Sequence, residues 1–306
     1  MIHHVYANRS NAGDWLSARG IQKLLGRSDV VEHLCDEPFV PATLQALAAA
    51  GPRDVVVIGG GGLLMDYFMP FWSGFRAMAE RVPFCIWGVG VCDSKQTASL
   101  PSPALLREMV ALSRLCVVRD ELTRDFLGRE RVPEPVGCPA AAAVETASSP
   151  GGAVMLHVDH FSNVGPENFE RMEAMAADFA RRTGRRHRKT NNIIPRNNAV
   201  ALQAVLDLYA DADVVLTSRL HGCIISAAMG RPFLAVSGDR KVDSFMESAG
   251  LRAQLCGLHD IESLPARLGQ LDRDRPLATA WAERARRGNE AVAEQVRAII
   301  AEVEAG

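Results

Sequence analysis

The sequence predicts an α/β protein in which parallel strands are covered by helices on both faces. Runs such as "VVVIGG" at 55–60 and "AVMLHV" at 153–158 are almost wholly apolar, whereas a half-exposed strand would alternate. The stretches between such runs repeat apolar residues at helical spacing, as in "ENFERMEAMAADFARRTG" at 167–184. Buried strands that alternate with amphipathic helices are typical of parallel sheets.

The strands and helices follow one another along the chain until residues 140–153, where the sequence consists mostly of small residues, Pro and Gly. We therefore place a boundary near residue 148 and expect domains of similar size at 1–148 and 149–306, facing a cleft. The final segment predicts one long packing helix because its apolar residues recur at helical spacing. The predicted strands are 2–7, 55–60, 83–91, 115–120, 153–158, 213–218 and 232–238.

The composition is that of a soluble globular protein, with 48% hydrophobic and 23% charged residues. A net charge of -2 argues against a general nucleic-acid binder, which normally has a basic excess. The seven cysteines form no CxxC pair, so we expect reduced thiols in a cytoplasmic protein and no metal site. We find no secretory signal and no run of about 20 apolar residues that would span a membrane.

Polar residues follow almost every predicted strand, at the edge of the sheet where open α/β proteins bind ligands. This pattern predicts a binding site in the cleft between the two halves. The residues concerned are Asn8, Asn11, Gly13, Asp14, Gly59, Gly60, Gly61, Gly62, Asp93, Ser94, Arg119, Asp120, His157, Asp159, His160, Ser218, Arg219, His221, Gly222, Asp239, Arg240 and Lys241.

The run "IGGGGLLMD" at 58–66 resembles a loop that cradles a phosphate. We expect Gly60, Gly61 and Gly62 to form a turn from strand to helix whose backbone N–H groups approach an anion. The run matches neither the P-loop nor the GxGxxG pattern, so a tight turn without a ligand is the alternative. In "NAGDWLSARG" at 11–20, we expect Asp14 to cap a helix and its loop to face the cleft.

Three further features are left open by the sequence. Arg119 ends a strand and is expected either to point into the cleft or to pair with a buried acid. His157 belongs to "HVDHFS" at 157–162, for which a hydrogen-bonded histidine or a contact with an acceptor is favoured over a metal ligand. The basic run "RRTGRRHRK" at 181–189 is interpreted as a solvated face, with attraction of an anionic acceptor or a membrane as the functional alternative.

The segment "TSRLHG" at 217–222 is the strongest indication of a site. Arg219 offers planar paired donors for phosphate or carboxylate, and His221 can transfer a proton near neutral pH. Both lie where the following helix presents free N–H groups, and Lys241 follows the next strand. The sequence therefore predicts an anion site built mainly from the C-terminal half.

In these segments the chain resembles the polysaccharide pyruvyl transferases. The resemblance comes in order along the chain: "NAGDWL", "GGGGLL", "GVGV", "VVRDELTRDFL", "VGCPA", "TSRLHGCIISAAMGRP" and "DRKVDSFMESAGL". It implies two Rossmann-like domains arranged as in GT-B glycosyltransferases. It also implies transfer of a pyruvyl group from phosphoenolpyruvate to two hydroxyls of a sugar, without a required cofactor or metal.

The resemblance places Arg119, Arg219 and His221 at the donor. With the chemistry of the reaction, it suggests His221 as acid or base, the two arginines as anion clamps, Lys241 as a further cation and Asp14 as base for the acceptor hydroxyl. The expected substrate-binding residues are Asn11, Gly13, Gly60, Gly61, Gly62, Asp93, Ser218, Gly222 and Lys241.

The partners that the resemblance implies are phosphoenolpyruvate and a saccharide acceptor, free or lipid-linked, at or near the inner face of the membrane; the oligomeric state is not predicted. Cys138 stands where we would expect an acid in a "VGDPA"-like segment, which leaves the acceptor open. The alternatives are a GT-B glycosyltransferase that uses a nucleotide sugar and a non-catalytic protein that binds an anionic saccharide.

Overall fold

The computed structural model describes residues 1–92, 100–147, 151–157, 164–195, 198–271 and 275–306, with the side chains of 275 and 276 left out. It contains two five-stranded parallel sheets, which confirms the predicted α/β class. The strands are β1 (Ile2–Tyr6), β2 (Val30–Leu34), β3 (Val55–Leu64), β4 (Phe84–Val91), β5 (Leu115–Val118), β6 (Ala153–His157), β7 (Arg186–Thr190), β8 (Ala212–Thr217), β9 (Phe233–Ser237) and β10 (Leu255–Gly257).

Helices connect these strands in both halves of the chain. They are α1 (Ala12–Leu25), α2 (Val40–Ala48), α3 (Met69–Arg76), α4 (Pro103–Leu112), α5 (Glu121–Leu127), α6 (Ala140–Ala143), α7 (Pro166–Arg182), α8 (Ala199–Asp211), α9 (Leu220–Met229), α10 (Arg240–Ser248), α11 (Leu264–Leu268) and α12 (Arg275–Ala305). Short 3-10 turns lie at Glu37–Phe39, Asp66–Phe68, Arg252–Gln254 and Leu258–Ser263. Residue 148, where the sequence predicted a boundary, lies outside the described residues.

The two sheets share one topology. The first has the order β2-β1-β3-β4-β5, and the second has the order β10-β9-β8-β6-β7. When β6 to β10 are counted as the first to fifth strands of their own sheet, both orders become 2-1-3-4-5. In such sheets the chain leaves the first and third strands in opposite directions, and the crevice that opens there is the usual ligand site. The topology therefore directs attention to the residues after β1, β3, β6 and β8.

The glycine run differs from the prediction because it lies inside β3 and not at the start of a helix. The strand pairs with β4 from Val56 to Leu64, with an irregularity after Gly61. Gly60 and Gly61 have φ angles of 96° and 97°, which other residues adopt only with strain. The bulged strand continues as far as Leu64, so of the glycines at 60–62 only Gly62 reaches the cleft, and the segment after the strand forms more of its wall.

Helix α1 begins at a different cap from the one predicted. The Asn11 side chain accepts hydrogen bonds from the N–H groups of Gly13 and Asp14, at 2.9 and 3.3 Å. Asp14 thus lies inside the first turn, where its carboxylate still faces the positive end of the helix dipole. Because Asn11 satisfies the free N–H groups, the Asp14 carboxylate is available for other contacts.

Helix α12 packs against both halves, and its existence confirms the predicted long C-terminal helix. Trp281 and Ala285 lie in the apolar core that α9 contributes to, whereas Val292 and Val296 lie among residues of β1, β3 and β4. At the crossing, Asn289 Oδ1 accepts a hydrogen bond of 2.8 Å from the buried Trp87 indole of β4. A helix that buries apolar residues in both cores holds the halves in a fixed relation.

A second link joins the halves beside the cleft. The backbone N–H of Ala12 donates to the carbonyl of Asn192 at 2.8 Å, and that of Ile194 donates to Ser10 at 2.7 Å. These bonds hold the loop after β1 against the segment after β7. None of the described helices is long and apolar enough to cross a membrane.

Candidate active site

A cavity of about 530 Å³ lies at the carboxyl ends of the strands, where the two halves meet. Its volume suits a small substrate, since ligand sites commonly enclose about 300–1,000 Å³. Residues after β1, β3, β6 and β8 contribute to its wall, as the shared topology requires. The lining residues are Asn8, Asn11, Asp14, Gly62, Met65, Asp66, Tyr67, Phe68, Cys92, Arg119, His157, Asn192, Arg219, Leu220, His221, Asp239 and Lys241.

Three cations of this cavity come from different elements. Arg119 follows β5, Arg219 precedes α9, and Lys241 lies in the first turn of α10. Lys241 Nζ lies 2.8 Å from Asp239 and 3.5 Å from the sulfur of Cys92. Burial opposes its charge, but Cys92 and Asp239 outweigh burial and raise the pKa of Lys241, so it is a cation at neutral pH.

The sequence left open whether Arg119 points into the cleft or pairs with a buried acid, and in the structure it does both. Its Nε donates to Asp120 at 2.8 Å, and the guanidinium lines the cavity. The side chain is only 3% exposed. Its Nη2 is buried and has no hydrogen-bond partner among the described residues. An unsatisfied buried donor of a guanidinium costs free energy, so an anionic acceptor at this place would stabilise the site.

The start of α9 offers further donors to the same place. Arg219 is the N-cap residue of α9, and no side chain of the described residues caps this helix end. The neighbouring Ser218, a predicted substrate-binding residue, is not among the residues that line the cavity; it is fully buried, and its Oγ has no partner among the described residues. Leu220 and His221, the first residues of the helix, line the cavity. An uncapped helix N-terminus beside cations is a favourable site for a phosphate.

The surroundings of His221 favour its neutral form. Burial, followed by the charges of Arg119, Lys241 and Arg219, holds the pKa of its imidazole well below the usual value. Its Nε2 lies 3.9 Å from the Cys138 sulfur, which in turn lies 3.1 Å from Ser17 Oγ. An acid in place of Cys138 would favour the imidazolium, so the cysteine leaves His221 neutral.

Asp14 is a carboxylate of the same cavity, contributed by the N-terminal half, and the pKa of its carboxyl is raised to about 6. Burial is the main cause, and the charges of Arg119, Lys241 and Arg219 oppose it only in part. Asn8 Nδ2 donates to its carboxylate at 3.5 Å. A carboxylate with a pKa near 6 can accept a proton at neutral pH, as a general base requires.

The predicted glycines allow close packing of side chains around the cavity. A Cβ at Gly13 would lie 2.0 Å from His221 Nδ1, and one at Gly222 would lie 2.2 Å from His157 Nδ1. A Cβ at Gly60 would meet the backbone of Ala18 in α1, and one at Gly61 would lie 2.4 Å from the Asp14 carboxylate. Gly62 alone of this set lines the cavity. The other four therefore allow close packing around it.

His157 is a hydrogen-bonded histidine, as favoured by its sequence. The side chain is buried, and Nδ1 lies 3.1 Å from Thr217 Oγ1. Burial and then the charge of Arg219 lower the pKa of its imidazole to about 3, so it is neutral. Asp159 and His160 lie outside the described residues, as does the predicted substrate-binding residue Asp93. No group of three potential metal ligands occurs among the residues that the structure describes.

Several lining residues were not singled out from the sequence. Asn192 has a φ of 57°, unusual for a residue other than glycine, and its side chain donates to Tyr209 Oη at 3.1 Å. The segment from Met65 to Phe68 reaches the cavity because β3 extends past the glycines. A prediction that continued β3 to its end would have found this segment, whereas nothing local indicates Asn192.

The basic run at 181–189 lies away from this cavity. Much of it forms the exposed edge strand β7 and the turn before it. Arg185 pairs with Asp213 and Arg186 with Asp211, and Lys189 pairs with Glu173. These pairs agree with the interpretation of the run as a solvated face.

Comparison with solved structures shows a GT-B-like fold, as predicted. A structure of S. aureus MnaA with UDP has a TM-score of 0.61 at 10% identity, covering 96% of this chain and 94% of that chain. A putative UDP-N-acetylglucosamine 2-epimerase from Listeria monocytogenes has a TM-score of 0.56 at 11% identity, covering 92% and 90%. The UDP-GlcNAc 2-epimerase from Neisseria meningitidis bound to UDP-GlcNAc has a TM-score of 0.55 at 10% identity, covering 96% and 99%.

Identities this low show a shared fold and nothing about substrates. No curated protein sequence matches the chain significantly. The family model described as "Polysaccharide pyruvyl transferase" matches residues 11–240, which contain the start of α1, the glycine run, Arg119 and the Arg219 to His221 segment. The chain therefore belongs to the polysaccharide pyruvyl transferase family.

Proposed function

We propose that this protein transfers the pyruvyl group of phosphoenolpyruvate to two hydroxyls of a saccharide, forming a cyclic ketal and releasing inorganic phosphate. The observation that carries the proposal is the convergence of Arg119, Arg219 and Lys241 on one cavity, with an orphaned Arg119 donor and the uncapped start of α9. Phosphoenolpyruvate carries its phosphate and its carboxylate on the same carbon atom. Two arginines and a helix N-terminus match that pair of anions.

The residues divide between donor and acceptor. Arg219 and the start of α9 are assigned to the phosphate, and Arg119 and Lys241 hold the remaining negative charge. Asp14, on the opposite wall, is assigned to the acceptor hydroxyl as general base. The segment from Met65 to Phe68 belongs to the same N-terminal half and is assigned to the sugar, because aromatic faces and carboxylates suit a saccharide.

The reaction balances without an outside oxidant or reductant. Protonation of the methylene carbon of phosphoenolpyruvate gives oxocarbenium character to the neighbouring carbon, which a first hydroxyl attacks as it loses its proton to a base. The bond from that carbon to the phosphate oxygen then breaks, and phosphate leaves. Attack by a second hydroxyl, whose proton passes to the departing phosphate, closes the ketal. The site must therefore supply one acid, one base and stabilisation of the leaving phosphate.

Substrate binding changes the protonation state of His221. The positive charges of Arg119, Lys241 and Arg219 contribute to its low pKa, and a bound anion counteracts all three. The pKa of His221 therefore rises when phosphoenolpyruvate enters. The imidazole is then able to take up the proton that it delivers to the methylene carbon, whereas the protein groups alone favour its neutral form.

The proposal is tested by measuring phosphate release from phosphoenolpyruvate over a panel of saccharide acceptors. We expect release only when a suitable acceptor is present, together with a phosphoenolpyruvate-dependent rise in melting temperature. Nucleotide sugars serve as the comparison in the thermal experiment. A strong rise with a UDP- or CMP-sugar and none with phosphoenolpyruvate would instead favour a glycosyltransferase. Binding of an anionic saccharide without any phosphate release would favour a non-catalytic binding protein.

A further inference from the structure

A second, separate cavity of about 620 Å³ lies along one face of α1. Trp15, Arg19, Gln22 and Lys23 form its floor, at helical positions i, i+4, i+7 and i+8, which share one face. Its other lining residues are Arg9, Glu32, Ala143 and Ala199. None of these residues lines the first cavity, and the reaction proposed above uses none of them.

The charges in this second cavity are unbalanced. Arg19 and Lys23 are exposed, and neither has a hydrogen bond or an ion pair among the described residues; the Arg19 guanidinium lies 5.2 Å above the Trp15 ring. The one acid of the lining, Glu32, is already engaged by Tyr6 and by Arg9, the latter at 2.8 Å. Two cations one helical turn apart repel each other unless an anion lies between them.

The start of helix α8 adds to the positive potential. Ala199, its first residue, lines the cavity, and the helix has 13 residues, so its N-terminal dipole is well developed. The Asn198 side chain accepts from Ala201 N–H, and the N–H groups of Ala199 and Val200 have no side-chain cap among the residues that the structure describes. A concave surface with cations on one wall and a helix N-terminus on another concentrates the field on an anion.

The second cavity adjoins the first through two pairs of neighbouring residues. Asn8 lines the first cavity and Arg9 the second, and Asp14 lines the first and Trp15 the second. The loop after β1 and the first turn of α1 therefore form the partition between them. A ligand that is longer than a single sugar can contact both.

We propose that the second cavity binds the phosphate or diphosphate group of a ligand, through Arg19, Lys23 and the start of α8. The identity of this ligand rests on the proposed function: it is the saccharide acceptor, and the diphosphate links it to a carrier. The carrier is a nucleoside or a lipid, and the shared chemistry is the diphosphate.

The test uses inorganic pyrophosphate as the probe and the indole N–H resonance of Trp15, assigned with a Trp15→Phe variant, as the local readout. We expect a saturable shift of this resonance in the full chain. In an Arg19→Gln, Lys23→Gln double variant, the apparent affinity falls by about tenfold or more, since charge-assisted bonds to two cations are lost. Arg219→Gln, which disables the first cavity, leaves the Trp15 response intact.

The matched control is Arg284→Gln with Arg287→Gln, which removes the same charge from exposed positions on α12. An equal loss of affinity in this control would overturn the proposal, because bulk charge would then explain the binding. An unchanged apparent affinity in the Arg19, Lys23 double variant would overturn it as well. Uridine diphosphate and farnesyl diphosphate are titrated in the same way. The compound that binds more tightly than pyrophosphate identifies the carrier as a nucleoside or as a lipid. Failure of phosphate release from phosphoenolpyruvate would leave these binding results unaffected.

Discussion

The two halves of this protein have the same strand order but present opposite chemistry to the cleft. After the first and third strands of its sheet, the N-terminal half presents Asn8, Asn11, Asp14 and the Met65 to Phe68 segment. At the corresponding positions the C-terminal half presents His157, Arg219 and His221. The shared topology fixes where a ligand binds, and the side chains at the strand ends fix which charge each wall carries.

This difference separates the tasks of the site. Cations and an uncapped helix end on one wall suit an anionic donor, whereas a carboxylate with a raised pKa on the other wall suits a hydroxyl. Arg119 is the exception, because it comes from the N-terminal half and contributes to the cationic group. Substitutions on the two walls should therefore have distinct effects on the kinetic constants and on stability.

The largest effect is expected from His221→Ala on the cationic wall. Loss of the acid and base group should lower kcat by about 10³-fold, because general acid-base catalysis contributes on that order. The melting temperature should change by only a few degrees. His259→Ala is the control, since that side chain is 85% exposed and lies outside the cavity. A collapse of the fold in His221→Ala would show a structural histidine.

The opposite wall is tested by Asp14→Asn. Without the base, kcat should fall by about 100-fold, and the rise of wild-type activity with pH, with its midpoint near the raised pKa of about 6, should disappear. The effect of Asp14→Asn on folding stability should be opposite to its effect on activity. Because the folded-state pKa lies above the usual 3.8, the wild type loses stability as pH rises through that interval, and the variant does not.

At pH 8 we therefore expect Asp14→Asn to unfold less readily than the wild type, by up to about 3 kcal/mol. Denaturant titrations at pH 4 and pH 8 measure this difference. A variant that is inactive and also less stable at pH 8 would contradict the assignment of Asp14 as a base whose ionised form is destabilised by burial.

A smaller effect is expected from Arg219→Lys. The charge is retained, but the paired planar donors are lost, so KM for phosphoenolpyruvate should rise by about tenfold with a lesser change in kcat. Steady-state kinetics at saturating acceptor separates the two constants. Arg252→Lys, at an exposed arginine outside the cavity, should leave both unchanged.

The smallest change concerns the protonation of His221. Cys138→Asp places a carboxylate near Nε2, where the thiol now lies 3.9 Å away, and should raise the pKa of His221 by about one unit or more. NMR titration of the imidazole measures the shift, and Cys138→Ser is the uncharged control. An unchanged titration would show that burial and the three cations dominate whatever residue stands at 138.

The sequence predicted the interior strands better than the edges. The strands that it missed, β2, β7 and β10, all lie at the edge of a sheet. β7 reads "RHRKT" and is largely exposed, so it has no apolar pattern that would reveal its pairing with β6. The glycine run was misplaced because its conformation depends on α1, which packs against Gly60 and Gly61.

The sequence by itself determined the α/β class and the chemistry at the strand ends, because apolar periodicity and residue type are local properties. It also indicated that Arg219 and His221 belong to an anion site. Only the tertiary structure decided that Arg119 joins them from the other half, that Asp14 faces them, and that Asn192 completes the wall. These meetings depend on how two sheets and α12 pack together, and long-range packing of this kind is not encoded in any short segment of the chain.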